Sequence, residues 1–256
     1  MSLIDEVVVF GVLVVLPLAL GGAWWRWGIA GVATVAALEL DRGAVAAALV
    51  VPWLVVAGSR VLAGVQAAGP LLFWTRADVV RVIAGVYAAV AAAALVQSRS
   101  GVHLFGLREP IVELTAVHYT YAGTAALMLA GATTPGRWSN RAIACTAAAP
   151  PIVALGFVTG WAMPQVGGAA LMAAGVWTTA ALQLVEAAGH RPVQRGLLSL
   201  SGLAIWAPMV LAVGWAAGQH WDVPYLAIHD MARLHGVPNA IGFCLAGLIA
   251  RQEVLA

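Results

Sequence analysis

Long apolar runs, separated by short clusters of Gly, Pro and charge, make up the whole chain. Breaking it at those clusters gives candidate spans near residues 6–22, 24–40, 44–66, 78–98, 112–131, 141–160, 165–188, 197–217 and 226–250. Barrel strands need only about 9–11 residues and alternate strictly; these runs are longer, rich in Ala and Leu, and do not alternate, so the pattern predicts helices. The first two runs are short and meet at Gly21-Gly22. They form a tight hairpin, or one is only partly inserted, so roughly eight or nine crossings of about 20 residues are expected. Small residues at close spacing, as in Gly123-Thr-Ala-Ala, Gly167-Gly-Ala-Ala and Gly242-Phe-Cys-Leu-Ala-Gly, let helices approach closely in lipid. Pro52 and Pro150-Pro151 fall inside runs and predict kinks. The expected architecture is all-α: a polytopic transmembrane helix bundle around a central cavity, with residues 1–256 forming a single integral membrane domain.

Composition agrees. Of 256 residues 62% are hydrophobic and only 9% charged, with a mean hydropathy of +0.92. Soluble domains carry about 25% charged residues, so a soluble globular enzyme is excluded. Asp5 and Glu6 stand where a signal peptide would be basic, so the first run reads as a span and not a leader. All 13 basic residues are Arg, and they are scattered singly, so a net charge of +2 gives no nucleic-acid footprint. Alternating crossings place Arg26, Arg76, Arg81, Arg137, Arg141, Arg191, Arg195 and Arg251 on one face and Arg42, Arg99, Arg108 and Arg233 on the other. By the positive-inside bias the first face is cytoplasmic and the N-terminus lies outside. Cys145 and Cys244 sit in apolar stretches without CxxC spacing and read as packing residues.

Ionisable groups inside spans are costly, so each is a functional candidate. The fifth run opens Glu113-Leu-Thr-Ala-Val-His118-Tyr-Thr-Tyr121. At about 100° per residue, Glu113, Val117, Tyr121 and His118 share an arc of roughly 140°, offering an acid, an imidazole and a phenol on one face. In the last run His235 and Asn239 are four apart and stack, with Met231 a turn earlier, while Asp230 lies near Arg233 and could pair with it at the rim. Glu39 closes the second run on the same Arg-poor side, as do Trp161, Gln165, His220, Trp221 and Asp222. Tyr119, Trp53, Trp177, Trp206 and Phe243 are candidate walls, which together describe a dry cavity with a polar cap. Arg60, Gln183 and Glu186 lie near the cytoplasmic edge and read as snorkelling or inter-helix contacts. The plainer alternative puts Glu113 among lipid headgroups, Glu39 at the membrane edge, and each His in a hydrogen bond to a neighbouring helix.

No GxxxxGK[ST], HExxH, CxxC or DDxxD-like cluster is present. A magnesium-dependent ionisation of a prenyl diphosphate is therefore not expected, nor is a cofactor. A metal shared by His118 and His235 has only two ligands at no fixed spacing to recommend it.

Leu114-Thr-Ala-Val-His-Tyr-Thr-Tyr-Ala-Gly123 and His235-Gly-Val-Pro-Asn-Ala-Ile-Gly-Phe243, with the weaker Pro52-Trp-Leu, resemble the YndJ-like family of bacterial membrane proteins. Some actinobacterial relatives resemble the drimentine-type membrane terpene cyclases, which cyclise the farnesyl chain of an indole-derived substrate, and the Ala-rich, Arg-only composition suits such a source. The resemblance implies His118, Gly123, His235 and Asn239 as motif positions, and Tyr119 and Tyr121 more loosely. Glu113, Asp230 and Glu39 lie beside the motifs, so their place rests on chemistry alone.

That chemistry is consistent. Cyclisation without loss of diphosphate needs a carboxylic acid kept protonated to attack an alkene or epoxide. It also needs apolar and aromatic walls around the cation, and a His or Tyr to take the last proton. The expectation is a metal-independent cyclase in the bacterial plasma membrane, acting on a lipophilic prenylated small molecule; a homo-oligomer is compatible with the pattern. A proton-coupled or small-molecule carrier and a non-catalytic sensor or partner protein are the alternatives. Against a carrier, no internal repeat stands out in the sequence.

Overall fold

The computed structural model describes residues 1–102 and 104–255, the side chains of 105 and 255 excepted. Among these residues the regular structure is helical, with no strand. Helix α1 (Leu3–Leu20) starts at a capping box, in which Ser2 Oγ accepts from the Asp5 amide at 3.2 Å while the Asp5 carboxylate accepts from the Ser2 amide. Helix α2 is Trp24–Glu39 and α3 is Ala44–Ala68. Helix α4 (Arg76–Ser100) repeats the capping box with Thr75 and Asp78, and ends at Gly101, whose φ of 74° suits a residue without a Cβ. Helix α5 covers 111–131, with a π-helical stretch at Tyr119–Ala125. Helices α6 (Arg137–Thr159) and α7 (Ala162–Ala187) follow. Helix α8 (Pro192–Gly218) breaks at Ile205, and α9 covers 228–250 with π-helical stretches at Ala232–Gly236 and Pro238–Leu245.

Each run expected as a crossing is thus helical, within a few residues of its predicted ends. Six helices are long and apolar enough to cross a membrane: α1, α3, α4, α6, α7 and α8. The chain therefore reads as a membrane protein. Helix α2 has 16 residues, about 24 Å at 1.5 Å per residue, short of the ~30 Å hydrocarbon core. The other two, α5 and α9, carry the polar constellations, which lower their apolar character. Helices α3 and α6 continue through Pro52 and Pro150-Pro151. A break in the regular helix occurs at Ile205 of α8, one turn ahead of Pro208, which has no N–H to return to the preceding turn.

The chain divides into two compact units, Met1–Met128 and Leu129–Val254. In the first, small residues set the helix contacts. A Cβ at Gly11 of α1 would stand 2.8 Å from Thr120 Cγ2 of α5, and one at Gly85 of α4 would stand 3.2 Å from Val61 Cγ2 of α3. Arg60 Nε donates to Leu20 O at 3.1 Å and Trp27 Nε1 donates to Gly21 O at 3.0 Å, closing the C-terminal end of α1. In the second unit α6 and α7 form the tightest hairpin. A Cβ at Gly156 would meet the Gln165 backbone nitrogen at 2.4 Å, and one at Gly168 would meet that of Val153 at 2.8 Å. Buried Gln183 accepts from Ser201 Oγ at 3.0 Å, while Glu186 accepts from the Thr134 amide at 2.8 Å and from the Arg251 guanidinium. Arg60, Gln183 and Glu186 are therefore inter-helix contacts, as their positions suggested.

After α1 the order of elements recurs. Helices α3 and α4 have 25 residues each, and their counterparts α7 and α8 have 26 and 27. Both α5 and α9 carry a His, run through π-helical turns and hold a Leu-Ala-Gly close after them, at 129–131 and 245–247. The lengths of the two middle pairs and this one tripeptide carry the recurrence, and the surrounding residues do not, which is why the sequence hides it; α2 and α6 differ, with 16 and 23 residues.

Candidate functional site

In the first unit, polar groups gather where α1 and α5 begin and α2 and α4 end. Glu113, in the first turn of α5, is half-buried and has the carboxyls of Asp5 and Glu109 among its charged neighbours. The Glu113 amide donates to Glu109 Oε2 at 3.1 Å, and Glu109 Oε1 lies 3.8 Å from Arg42 Nη2. Arg99, buried at the end of α4, donates through Nη2 to Leu40 O, and its own carbonyl accepts from the Gly43 amide at 2.7 Å. Glu113 Oε1 and Arg99 Nε are both buried without a hydrogen-bond partner among the described residues. A half-buried acid among other carboxylates, with one oxygen unspent, can hold a proton and hand it over.

The rest of the expected α5 face does not follow from straight-helix arithmetic. The π-helical stretch starts at Tyr119, directly after His118, and hydrogen bonds there span five residues instead of four. The rotation per residue therefore changes, and Tyr121 turns inward to donate to Val7 O of α1 at 2.8 Å. His118 is exposed, with Nδ1 2.7 Å from Leu114 O of its own helix. Tyr119 packs edge-on against Tyr87 of α4 at 5.3 Å between ring centres. Glu39 is exposed, its carboxylate 3.9 Å from the N-terminal amine, and Trp53 is fully buried in α3.

In the second unit His235 and Asn239 do touch. Asn239 Nδ2 lies 3.3 Å from the imidazole nitrogens, and His235 Nδ1 lies 2.8 Å from Pro208 O, just past the break in α8. Asn239 Oδ1 is buried without a partner among the described residues. Asp230 is half-exposed and faces His229 at 3.7 Å, so the pairing expected with Arg233 is replaced by one with its neighbour. Met231 is half-buried and Phe243 fully buried; Ser201 Oγ donates to the Phe243 carbonyl at 2.8 Å. Trp177 and Trp206 stack with centres 5.8 Å apart, while Trp161 is 67% exposed at the α6–α7 connection. Among the described residues no three of His, Cys, Asp and Glu gather as a metal cage.

The family model for YndJ-like proteins matches residues 6–243, nearly the whole chain and both polar helices. The chain belongs to the YndJ-like family. Comparison with curated proteins and with solved structures gives no match. Within this YndJ-like protein, sequence reasoning overlooked Asp5, Arg99 and Glu109 as neighbours of Glu113, and Pro208 as the partner of His235. Asp5 had a signal of its own, an acid one turn into an apolar helix. Glu109 stands four residues before Glu113 and was in plain reach, whereas Arg99 and Pro208 are brought in from other helices by folding.

Proposed function

We propose that this YndJ-like protein is a membrane-bound terpene cyclase of the bacterial plasma membrane, crossing it roughly nine times with its N-terminus outside. It acts by protonation, in the class II manner, on the farnesyl chain of an indole-derived substrate such as an indole diketopiperazine. The observation that carries the reading is Glu113, a partly buried acid with an unspent oxygen at the head of the helix that bears His118. The substrate class is carried over from the drimentine-type cyclases that some actinobacterial relatives of the family resemble.

In this mechanism Glu113 transfers its proton to the terminal alkene or epoxide of the prenyl chain. Ring closures move the positive charge along the chain, away from water and among apolar and aromatic groups. Loss of a C–H proton to an imidazole or phenol ends the cascade, and that proton returns to the acid. Product and substrate then have the same formula, and neither metal nor cofactor takes part. His118, on the same helix as Glu113, is the base that takes the C–H proton.

Purified protein in detergent should convert a farnesylated indole diketopiperazine to a decalin-containing isomer, and EDTA should leave the rate unchanged. Glu113→Gln should lose turnover with its fold intact, while Glu39→Gln and Asp230→Asn, at exposed positions, should keep it. A Glu113→Gln protein as active as wild type overturns the assignment.

One observation favours a second reading. The recurring element order of α2–α5 and α6–α9 resembles the parallel repeats of many carriers. Substrate uptake into proteoliposomes, with no chemical change in the substrate, would select it.

A further inference from the structure

We propose that the second unit holds a binding site for an anionic phospholipid of the Arg-rich leaflet, independent of any catalysis. A groove of about 370 Å³ runs along α7, lined by Trp177, Ala181, Leu182 and Val185, with Trp138 of α6 and Trp206 of α8 as its other walls. The antiparallel pairing of α6 and α7, with Gly156 against Gln165, Gly168 against Val153 and Gly175 against Thr146, sets Trp138 level with the end of α7. The groove therefore descends from the membrane edge at Trp138 towards the stacked pair Trp177 and Trp206, a path suited to an alkyl chain.

Its upper end is cationic. The Arg137 and Arg141 guanidinium carbons lie 5.2 and 4.8 Å from the centre of the Trp138 ring. Both arginines are exposed, and neither has a carboxylate within ion-pair distance among the described residues. Stacking on the indole holds a guanidinium by its face and leaves its N–H edge free for a bidentate contact, which a phosphate fits. Two fixed positive charges above an aromatic, apolar slot match a headgroup phosphate above an acyl chain, and clusters of this kind on the cytoplasmic side recognise anionic lipid. The Glu186 carboxylate near the end of α7 does not neutralise the pair, because Arg251 and the Thr134 amide engage it.

The test uses full-length protein in micelles containing equal amounts of phosphatidylglycerol and phosphatidylcholine, with retained lipid counted by native mass spectrometry. Wild type should retain phosphatidylglycerol at least about tenfold over phosphatidylcholine, since a pair of charge-assisted contacts is worth one decade or more. Arg137→Gln/Arg141→Gln should retain the two lipids equally. Trp206→Ala should hold less of both. Arg26→Gln is the control: Arg26 also stacks on a tryptophan, Trp25, at 5.3 Å, but without this groove, and its loss should leave the preference intact. Equal retention by wild type, or an equal loss in the Arg26 and Arg137/Arg141 variants, overturns the site, as does displacement of the bound lipid by inorganic phosphate alone.

Discussion

Glu186 and Arg251 show how a single residue pair can hold several elements. Their side chains are 13% and 5% exposed, and Glu186 also accepts the Thr134 amide, so one carboxylate ties α7, the α5–α6 connection and the end of α9. Removing one partner leaves the other charge buried and alone, which costs about 3–5 kcal/mol. Arg251→Gln should therefore lower the thermal midpoint in detergent well below wild type, and Glu186→Gln/Arg251→Met should recover most of the loss, because Gln keeps an acceptor for Thr134 and neither charge remains. A double variant as unstable as the single one would show that packing and not charge is at stake. Only part of this residue-scale picture was legible in advance. Glu186 could be read as an inter-helix contact because an acid near the end of an apolar run needs a partner, and His235 with Asn239 because four residues make a helical turn. That Arg251 is the partner of Glu186 and Asp5 a neighbour of Glu113 could not be read, since both depend on contacts between distant segments.

At the scale of elements, the helices were legible because hydrocarbon forces every backbone amide into internal bonding, so an apolar run of spanning length has one outcome. The π-helical stretches were not. They occur in α1, α5 and α9, and in the first unit those of α1 and α5 meet, where Gly11 faces Thr120 and Tyr121 donates to Val7 O. A bond spanning five residues is chosen by such contacts and leaves no period in the sequence. Two comparisons follow. Gly11→Ala should destabilise by about 1–3 kcal/mol through overpacking against Thr120 Cγ2, and Thr120→Ser, which lacks that methyl, should restore stability when combined with it. In the second unit Gly156→Ala brings its new methyl against the backbone of Gln165, which cannot move aside, and should destabilise more than Gly11→Ala. Gly167→Ala has nothing within 4 Å and should be neutral or slightly stabilising. Unfolding midpoints of the four proteins decide both comparisons, and equal midpoints for Gly156→Ala and Gly167→Ala would refute the close α6–α7 approach.

For the whole molecule, helix order and arginine distribution predict the sidedness of the connections. If α3 to α9 alternate across the membrane, the connections holding Asp41 and Asp222 face outward and those holding Leu72 and Arg191 face the cytoplasm, the Arg-rich side. All four positions are exposed, so cysteines placed there one at a time, in a protein with Cys145 and Cys244 replaced by Ala, report on their surroundings. A membrane-impermeant maleimide added to intact cells should label Asp41→Cys and Asp222→Cys, and should reach Leu72→Cys and Arg191→Cys only after permeabilisation. A tag on the N-terminus checks the outward face: the terminal amine lies 3.9 Å from the Glu39 carboxylate at the end of α2, next to Asp41, so the tag should face outward. Labelling Asp41→Cys and Leu72→Cys from the same side would mean that α3 does not cross. The Arg-rich leaflet would then lose its meaning, and the outward-facing position assigned to Glu113 would fall with it.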